Sequence, residues 1–332
     1  MKRIPSKGAV LAAGGGVRLA PLTATRPKPM LPIAGKPLLE YNLAQLADAG
    51  VSEIVVLISP QGQAIEEHFG DRFRGLDLRY VVQPDARGTG EAVRLLRDCL
   101  GGEWFFCIFG DNVTAWPVAR LLPAHRAMKA CATLAVFRAP DPRRHGVVEL
   151  DGRRIRRIVE RPEHPRSDLA SAGMFLFEPE IFEALDAVEP AASGELQLPD
   201  AVQHLISQGR TVAHEILDQW RLNVNTPADL LEANHHMLDR DGQRLWSAGI
   251  APPVAAADRP VIEAGARLGP YVSCGSGCVI GSGARVSESI LLDSVTVESG
   301  AEVYRSILGD RARVAPAVQV HHQVVADGAV CE

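Results

Sequence analysis

The sequence has no dense run of lysine and arginine and no basic terminal arm, and its 332 residues carry a formal net charge of −5. This charge balance argues against partners held by broad electrostatic attraction, such as nucleic acid or an anionic membrane surface. No apolar stretch approaches the roughly 20 residues of a membrane span, and the N-terminus lacks the layout of a signal peptide. We therefore expect a cytoplasmic protein that binds neither nucleic acid nor membranes, while a small anionic ligand remains compatible with the charge.

Cysteine is sparse and scattered. The six cysteines form no Cys-x-x-Cys pair, and no histidine stands at zinc-finger spacing from them. This pattern argues against a zinc site of that type, and we interpret the cysteines as reduced thiols of the core. The remaining composition, 46% hydrophobic and 23% charged residues, is that of an ordinary globular protein. At this length two domains are the default expectation.

Residues 1–240 alternate between short apolar runs and longer segments with helical periodicity. This alternation predicts an α/β domain with a Rossmann-like mixed, mostly parallel sheet and helices on both faces. The segment WFFCIFG from Trp104 is continuously apolar, as a central buried strand would be, and it leads directly into Asp111. After it, GVVELDGRRIRRIVERP contains an Asp-Gly turn signal and predicts a hairpin that covers the edge of a ligand crevice.

The last part of the chain has a different period. Residues 241–260 are rich in proline, glycine and alanine and are predicted to form a linker. From 261 to 332, apolar residues return at intervals of six, first at Ile262, Leu268 and Cys274, with a slip near Leu291. A six-residue period predicts a short left-handed parallel β-helix, in which each step places one side chain inside a triangular prism. Because the ends of so short a stack are exposed, we expect this domain to form a homo-oligomer.

The stretch LAAGGGVRLAPLTATRPKPMLP, which begins at Leu11, ends the first predicted strand with three glycines. Glycines at this place let backbone N–H groups approach phosphate oxygens without steric obstruction. Arg18 and Lys28 then supply two positive charges ten residues apart, which suits a triphosphate or a departing pyrophosphate. The spacing fits neither the dinucleotide-binding fingerprint nor the Walker loop. We therefore expect the loop to bind another phosphate ligand.

Three motifs in this stretch resemble the signature of the sugar-1-phosphate nucleotidylyltransferases: L-A-A-G-G-G-V-R-L-A-P-L-T, P-K-P-M-L-P and the K-P at Lys36. The resemblance implies a nucleoside triphosphate site. Val17 stands where the family usually has threonine, so one hydroxyl donor to the phosphates is missing. The residues that the resemblance assigns to nucleotide binding in this stretch are Leu11, Ala13, Gly14, Gly16, Arg18 and Lys28.

Further segments extend the resemblance on the nucleotide side. Gln83, followed by R-G-T-G, resembles the base-reading segment, which implies that Gln83, Gly88 and Thr89 bind the nucleotide. A glutamine here favours UTP or dTTP over GTP.

The resemblance also implies a metal site. Asp111 follows the predicted buried strand, at the usual ligand edge of such a sheet, and matches the family's Mg²⁺ ligand. The second Mg²⁺ ligand falls in W-R-L-N-V-N-T-P, where one register points to Asn223 and another to Asn225.

The segments H-G-V-V and V-E-R-P resemble the sugar side of the family's site. They imply that Gly146 and Glu160 hold sugar hydroxyls and that Arg161 grips the sugar phosphate. Ser171 and Gly173 match a segment that often begins with asparagine in enzymes that read an N-acetyl group. Serine at this place argues against N-acetylglucosamine 1-phosphate.

The resemblance implies that the protein converts a nucleoside triphosphate and a hexose 1-phosphate to an NDP-sugar and pyrophosphate. Arg18, Lys28 and Asp111 would be the catalytic residues and Mg²⁺ the cofactor, with positioning and charge neutralisation carrying the reaction. Two alternatives stand beside this one. Val17 and the neutral asparagines would suit a non-catalytic regulatory or scaffold subunit that binds nucleotide sugar. A hexapeptide β-helix would suit a bifunctional enzyme that also acetylates an amino sugar.

Overall fold

The computed structural model describes residues 4–241 and 249–332. The chain separates into two compact units: Met1–Gly14 with Tyr41–Arg221, and Gly15–Glu40 with Leu222–Glu332. Most of the glycine-rich loop therefore belongs to the same unit as the C-terminal repeat. Residues 242–248 of the predicted linker lie outside the described residues. No described helix combines the length and the apolar character needed to cross a membrane.

The strands of the first part of the chain are β1 (Lys7–Leu11), β2 (Pro32–Ile33), β3 (Lys36–Pro37), β4 (Glu53–Ile58), β5 (Arg72–Phe73), β6 (Leu76–Val82), β7 (Phe105–Phe109), β8 (Asn112–Thr114), β9 (Ala132–Arg138), β10 (Gly146–Asp151), β11 (Arg154–Glu160), β12 (Leu169–Phe177), β13 (Val212–Ile216) and β14 (Arg221–Asn223). The α-helices are α1 (Leu38–Ala49), α2 (Gln63–Phe69), α3 (Thr89–Arg94), α4 (Arg97–Leu100), α5 (Leu121–Met128), α6 (Glu180–Ala187), α7 (Leu198–Ser207) and α8 (Pro227–Asp241). Short 3₁₀ turns occur at Val17–Leu19, Leu22–Ala24, Lys28–Met30, Val118–Arg120 and Pro142–Arg144.

A ten-stranded mixed sheet forms the centre of the first unit, in the order β10-β11-β13-β9-β12-β7-β1-β4-β6-β5. Strands β7, β1, β4 and β6 run parallel to one another, whereas β12 and the β10–β11 hairpin add antiparallel pairs. Leu11 at the end of β1 is in register with Phe109 at the end of β7. The glycine-rich loop and Asp111 therefore leave the sheet at the same edge, the carboxyl edge of its parallel strands.

Helices cover both faces of this sheet. On one face, apolar residues of α3, α6 and α7 pack with alternate residues of the central strands into one buried cluster. On the other face, Leu46 of α1 lies against Gly8, where an added Cβ would come within 2.9 Å of the leucine. These layers confirm the predicted Rossmann-like α/β fold. The buried strands read as continuous apolar runs because both of their faces are covered.

The second unit contains a parallel β-helix built from three sheets of five, five and four strands. Its interior is a single apolar cluster that includes Leu268, Cys274 and Ile280 of the predicted six-residue series. Its strands are β15 (Val254–Ala256), β16 (Val261–Ile262), β17 (Arg267–Leu268), β18 (Val272–Cys274), β19 (Val279–Ile280), β20 (Arg285–Ser287), β21 (Ile290–Leu291), β22 (Thr296–Val297), β23 (Glu302–Tyr304), β24 (Ile307–Leu308), β25 (Arg313–Val314), β26 (Gln319–His321), β27 (Val324–Val325) and β28 (Val330–Cys331).

The predicted slip in the repeat corresponds to a change in coil length. Val254 pairs with Val272, which makes the first coil 18 residues long, whereas Leu291 pairs with Leu308, which gives 17. The shorter coils turn one corner through a residue with positive φ, at Glu288, Arg305 and His322. Strand β15 begins inside the predicted linker, so the coil pairing starts earlier than residue 261.

Candidate active site

In the first unit, main-chain hydrogen bonds hold the end of β1 beside the ends of β7 and β4. The N–H of Gly110 donates to the carbonyl of Leu11 at 2.9 Å, and the N–H of Ala12 donates to the carbonyl of Leu57 at 2.8 Å. A Cβ at Gly110 would lie 2.9 Å from the Leu11 oxygen, so only glycine allows this approach. The backbone therefore fixes where the glycine-rich loop starts and where Asp111 emerges.

The three glycines of the loop have different environments. Gly16 has φ +64°, and a Cβ there would lie 2.9 Å from the Cβ of Lys28. Its carbonyl accepts hydrogen bonds from the N–H of Leu19 at 2.8 Å and from the hydroxyl of Thr23 at 3.0 Å. A Cβ at Gly14 or at Gly15 would meet nothing within 4 Å. The fold alone is enough to require glycine at position 16. It does not require glycine at Gly14 or Gly15, where a side chain would have open space.

The two predicted phosphate-binding cations differ in exposure. The Lys28 side chain is buried, and its Nζ donates to Oδ1 of Asn225 at 2.9 Å. Arg18 is exposed. The apolar side chain of Val17 is 84% exposed, so no packing requirement explains a valine at this position. The second unit therefore brings Gly16, Lys28 and Asn225 together.

Asp111 lies beside two residues that position the neighbouring backbone. Asn112 is buried, and its Nδ2 donates to the carbonyls of Ala172 at 2.9 Å and Gly173 at 3.2 Å. Nε of Arg221 also donates to the Ala172 carbonyl at 2.9 Å. These contacts join the residues after β7 to the Ser171–Gly173 segment of β12.

Arg221 is a half-buried cation that the sequence interpretation did not single out. Its guanidinium lies over the Phe137 ring, 4.6 Å from the centroid. Burial lowers the pKa of Arg221 to about 10, although the negative charge of Asp111 opposes the shift. The group is still cationic at neutral pH, so a positive charge and Asp111 occupy the same region. Arg221 immediately follows Trp220 in the quoted W-R-L-N-V-N-T-P segment, but nothing in the composition of that segment distinguishes it from an exposed arginine.

The oxygen atoms near Asp111 are of the kind that ligate Mg²⁺. The Asp111 carboxylate is followed in sequence by the Asn112 amide, whose buried Oδ1 has no hydrogen-bond partner among the described residues. Hard oxygen ligands of this kind are those that Mg²⁺ prefers. Within residues 4–241 and 249–332, no cluster of three or more His, Cys, Asp or Glu side chains is arranged to hold a metal. An ion at Asp111 would therefore take most of its ligands from phosphate and water, as Mg²⁺ commonly does.

The predicted base-reading segment is tied to the scaffold. Gln83 is buried, and its Nε2 lies 3.5 Å from the Gly88 carbonyl, a long contact. Gly88 has φ +95°, and a Cβ there would clash with the Leu196 backbone. The Thr89 hydroxyl accepts a hydrogen bond from the Leu198 N–H, at the first turn of α7, at 3.1 Å. The Thr89 hydroxyl thus contacts the N-terminus of α7. Gln83 and Gly88 instead contact each other.

The predicted sugar-binding residues meet at the end of the β10–β11 hairpin. Gly146 is in register with Glu160, and a Cβ at Gly146 would lie 3.1 Å from a Glu160 carboxylate oxygen. Arg161 has φ +42° and donates its N–H to the His145 carbonyl at 3.0 Å. Its Nε lies 3.3 Å from Oε1 of Glu160. Burial raises the pKa of Glu160, although the Arg161 charge opposes the shift.

Gly173 has the conformation and the space of a position that requires glycine. Its φ is +70°, and a Cβ would lie 2.7 Å from Nδ2 of Asn112 and 2.8 Å from the Phe109 ring. The Ser171 hydroxyl lies 3.4 Å from the Gly173 N–H, which can donate to it. Gly173 therefore permits the close approach of β12 to the residues beside Asp111.

Comparisons with known proteins show the family of this chain. The sequence profile of the nucleotidyl transferase family matches residues 7–240, and that of the GMPPB C-terminal domain matches residues 250–331. The glucose-1-phosphate thymidylyltransferase of Streptomyces griseus is 35% identical over 285 residues, which cover 85% of this chain and 80% of that protein. The UTP–glucose-1-phosphate uridylyltransferase AglF of Haloferax volcanii is 34% identical over 70% of this chain and 97% of its own length.

A solved structure shares the fold of a large part of this chain. The putative glucose-1-phosphate thymidylyltransferase from Bacillus anthracis, crystallised in complex with a sucrose, has a TM-score of 0.66 and 27% sequence identity, and it matches 71% of this chain and 96% of that chain. The family profile alone covers more than half of the sequence. The chain therefore belongs to the nucleotidyl transferase family, as its resemblance to the sugar-1-phosphate nucleotidylyltransferases indicated.

Proposed function

We propose that this protein transfers a nucleotidyl group from UTP or dTTP to a hexose 1-phosphate, giving an NDP-sugar and pyrophosphate. The observation that carries the proposal is the register of Leu11 with Phe109, because it brings the start of the glycine-rich loop and Asp111 to one edge of the sheet. Ligands of open α/β sheets bind at this edge. The names of the relatives, a thymidylyltransferase and a uridylyltransferase that act on glucose 1-phosphate, support the same substrates.

The reaction needs no nucleophilic side chain. A phosphate oxygen of the sugar 1-phosphate attacks the α-phosphorus, and the bond from that phosphorus to the oxygen bridging to the β-phosphorus breaks. Pyrophosphate leaves with the bonding electron pair. Since attacking group and triphosphate are both anions, the protein's task is to orient them and offset their repulsion.

The glycine-rich loop would hold the triphosphate. The open space at Gly14 and Gly15 leaves their N–H groups accessible to phosphate oxygens. Lys28 and Arg18 would offset the charge on the leaving pyrophosphate. The buried position of Lys28 favours this role, because its charge is screened less than that of an exposed lysine.

Asp111 would hold Mg²⁺, which on binding supplies charge neutralisation at the phosphates. The resemblance offers Asn223 and Asn225 as the second ligand, and the amide oxygen of Asn225 accepts a hydrogen bond from the Lys28 ammonium group.

The sugar phosphate would be bound at the hairpin end. The Glu160 carboxylate, with Gly146 leaving room beside it, would accept hydrogen bonds from sugar hydroxyls, and Arg161 would grip the phosphate. Arg221 adds a half-buried positive charge near Asp111, and we propose that it stabilises the negative charge of that carboxylate. We propose that Gln83 contacts the base, whereas the hydroxyl of Thr89 supports α7.

The test of the metal assignment is Asp111→Ala, measured by pyrophosphate release with UTP or dTTP, glucose 1-phosphate and Mg²⁺. We expect loss of at least about a hundredfold in kcat, because the variant removes the carboxylate that holds the ion. The matched control is Asp151→Ala on the exposed turn of the hairpin, which should keep full activity. Near-normal turnover by Asp111→Ala, with an unchanged circular dichroism spectrum, would overturn the assignment.

We further propose that the β-helix mediates homo-oligomerisation and that the enzyme works in the cytoplasm. One outer face carries the exposed apolar residues Val261 and Val330. Light scattering during size-exclusion chromatography gives the mass directly, and a monomer at micromolar concentration would count against the oligomer.

A further inference from the structure

Arg26, which precedes Lys28 by two residues, makes a double ion pair within the second unit. Its Nη2 lies 2.5 Å from Oδ2 of Asp310 and 2.8 Å from Oδ2 of Asp327. Its Nη1 donates to the Leu22 carbonyl at 3.2 Å, so the guanidinium also makes a hydrogen bond within the loop. The Arg26 side chain is only 13% exposed. The mechanism above gives this buried cation no role.

The two aspartates belong to a column along one corner of the β-helix. Asp293, Asp310 and Asp327 are separated by 17 residues, the length of one coil. Oδ1 of Asp310 accepts the Asp293 N–H at 3.1 Å, and Oδ1 of Asp327 accepts the Asp310 N–H at 2.8 Å. One carboxylate oxygen of each residue thus joins consecutive coils. The other oxygen of Asp310 and of Asp327 contacts Arg26.

This geometry makes the contact stronger than an ordinary surface ion pair. Carboxylates on neighbouring coils lie about one strand spacing apart, roughly 5 Å, and repel each other unless a cation stands between them. Arg26 supplies that cation, and solvent screening is weakest at Asp327, whose side chain is 12% exposed against 33% for Asp310. The Thr25 hydroxyl donates to the same Asp327 oxygen. Burial alone would raise the pKa of Asp327, but the hydrogen bonds from Thr25, Arg26 and the Asp310 N–H, together with the Arg26 charge, lower it.

The anchored residue is coupled closely to the phosphate loop. Only Pro27 separates Arg26 from Lys28, and its φ of −63° is fixed by the ring. Lys28 in turn begins the 3₁₀ turn Lys28–Met30 and lies against Gly16. A shift of the Arg26 backbone would therefore be transmitted to Lys28 with little loss.

We infer that Arg26 is a positioning residue through which the last coils of the β-helix hold the Gly16–Lys28 loop in the conformation that binds the triphosphate. The inference rests on the proposed role of this loop in nucleotide binding. It assigns the C-terminal repeat a part in the reaction besides assembly. It also predicts that a substitution at Asp310 or Asp327 changes the KM for the nucleotide and not the KM for the sugar phosphate.

The kinetic test compares Arg26→Ala, Arg26→Lys and the pair Asp310→Asn with Asp327→Asn in the full-length protein. Pyrophosphate release is measured while UTP or dTTP and glucose 1-phosphate are varied separately. We expect Arg26→Ala to raise KM for the nucleotide about tenfold or more and to leave KM for the sugar phosphate within about twofold. Arg26→Lys should restore part of the loss. The control is Arg313→Ala, which breaks the exposed ion pair with Glu298 on the same β-helix and should change neither KM.

A double-mutant cycle separates positioning from general damage. If Arg26 acts through the aspartates, the triple variant Arg26→Ala, Asp310→Asn, Asp327→Asn should show no larger KM for the nucleotide than Arg26→Ala alone. Additive effects, or equal increases in both KM values, would overturn the inference. So would an unchanged nucleotide KM in Arg26→Ala, and that result would leave the proposed function intact.

Hydrogen exchange tests the anchoring without using activity. The N–H groups of Leu19, Ala24 and Met30 are hydrogen-bonded within the loop. In Arg26→Ala their exchange should accelerate about tenfold, while the amides of α7 keep the wild-type rate. Equal exchange rates in the loop would overturn the inference even in a protein without pyrophosphate release. Accelerated exchange in such a protein would support the anchoring and count against the proposed function alone.

Discussion

Glu160 lies at the proposed sugar-binding position, and its surroundings disfavour the charged form of its carboxyl group. Burial raises the pKa of its carboxyl above the ordinary value, Arg161 lowers it, and the nearby charges of Asp200 and Glu195 raise it further. A partly desolvated carboxylate weakens the fold unless it is fully paired. A desolvated carboxylate beside Gly146 is placed to accept hydrogen bonds from a ligand, which is the role proposed for it.

We therefore expect Glu160→Gln to stabilise the protein at neutral pH and to impair sugar binding. Because the pKa in the folded state lies above the unfolded value, ionisation opposes folding at neutral pH, and this opposition disappears as the pH falls below the ordinary value of 4.5. The variant should unfold at a higher urea concentration than the wild type at pH 7, and this gain should disappear near pH 4. Its KM for the sugar phosphate should rise about tenfold.

The control for this prediction is Glu163→Gln, an exposed residue just beyond the hairpin. It should change neither the unfolding midpoint nor the KM. A Glu160→Gln enzyme with an unaltered KM for the sugar phosphate would show that the carboxylate does not touch the sugar.

At the level of single residues, the resemblance proposes members of the candidate site, but the sequence does not predict their surroundings. Gly146, Glu160 and Arg161 come together in the structure because they lie at the matched ends of a two-stranded hairpin, a pairing that the Asp-Gly turn makes predictable. Arg221 could not be singled out in this way. Its importance depends on contacts with Phe137 and Ala172, which are distant in sequence and set by the packing of the sheet.

At the level of elements, Thr89 connects two helices. Its hydroxyl accepts the Leu198 N–H at the first turn of α7 and lies 3.4 Å from the Gln197 amide oxygen. Helix N-termini leave N–H groups without partners inside the helix, so an external acceptor there stabilises the helix. A residue assigned to the nucleotide by resemblance thus has an identified structural contact.

We expect Thr89→Ala to lower the free energy of unfolding by about 1 kcal/mol and Thr89→Ser to leave it nearly unchanged, because serine keeps the acceptor. Urea unfolding measures both. The KM for the nucleotide should stay within about twofold of the wild-type value in each variant. A large rise in that KM for Thr89→Ala, without loss of stability, would show that the hydroxyl binds the nucleotide and does not support α7.

The β-helix was predictable because its rule is local. One side chain in six must fill the prism, so the interior positions could be read from Ile262 onward, and the missing residue near Leu291 marked the shorter coils. The contact of Arg26 with Asp310 and Asp327 could not be read in the same way. It joins residues that are 284 and 301 positions apart, and no periodic pattern links them.

At the level of the whole molecule, four histidines make the folded state more stable at neutral pH than at acidic pH. Burial is the largest cause of a lowered pKa at His125, His145, His214 and His235. At His125 the Glu178 carboxylate opposes the shift, while Nδ1 lies 2.8 Å from the Thr133 hydroxyl. The fold therefore favours the neutral rings, and the unfolded chain binds protons more readily.

We expect the free energy of unfolding to fall as the pH drops below the ordinary histidine value of 6.5. Each of these groups has a depressed pKa in the folded state, so the stability it contributes is present above 6.5 and is lost on acidification through the folded-state value. Urea unfolding at about pH 7.5 and pH 5.5 measures the difference. His125→Gln should reduce this dependence, whereas the exposed His164→Gln should not. Equal unfolding midpoints at both pH values would contradict the assignment.

The central claim is that the chain catalyses nucleotidyl transfer to a sugar 1-phosphate. The most direct measurement is pyrophosphate release by the purified wild-type protein in a matrix of UTP, dTTP, GTP, ATP and CTP against several hexose 1-phosphates, with Mg²⁺ and with a chelator. We predict Mg²⁺-dependent release that is greatest with UTP or dTTP. Binding of nucleotide sugar without pyrophosphate release from any pair would contradict the claim and would identify a non-catalytic subunit instead.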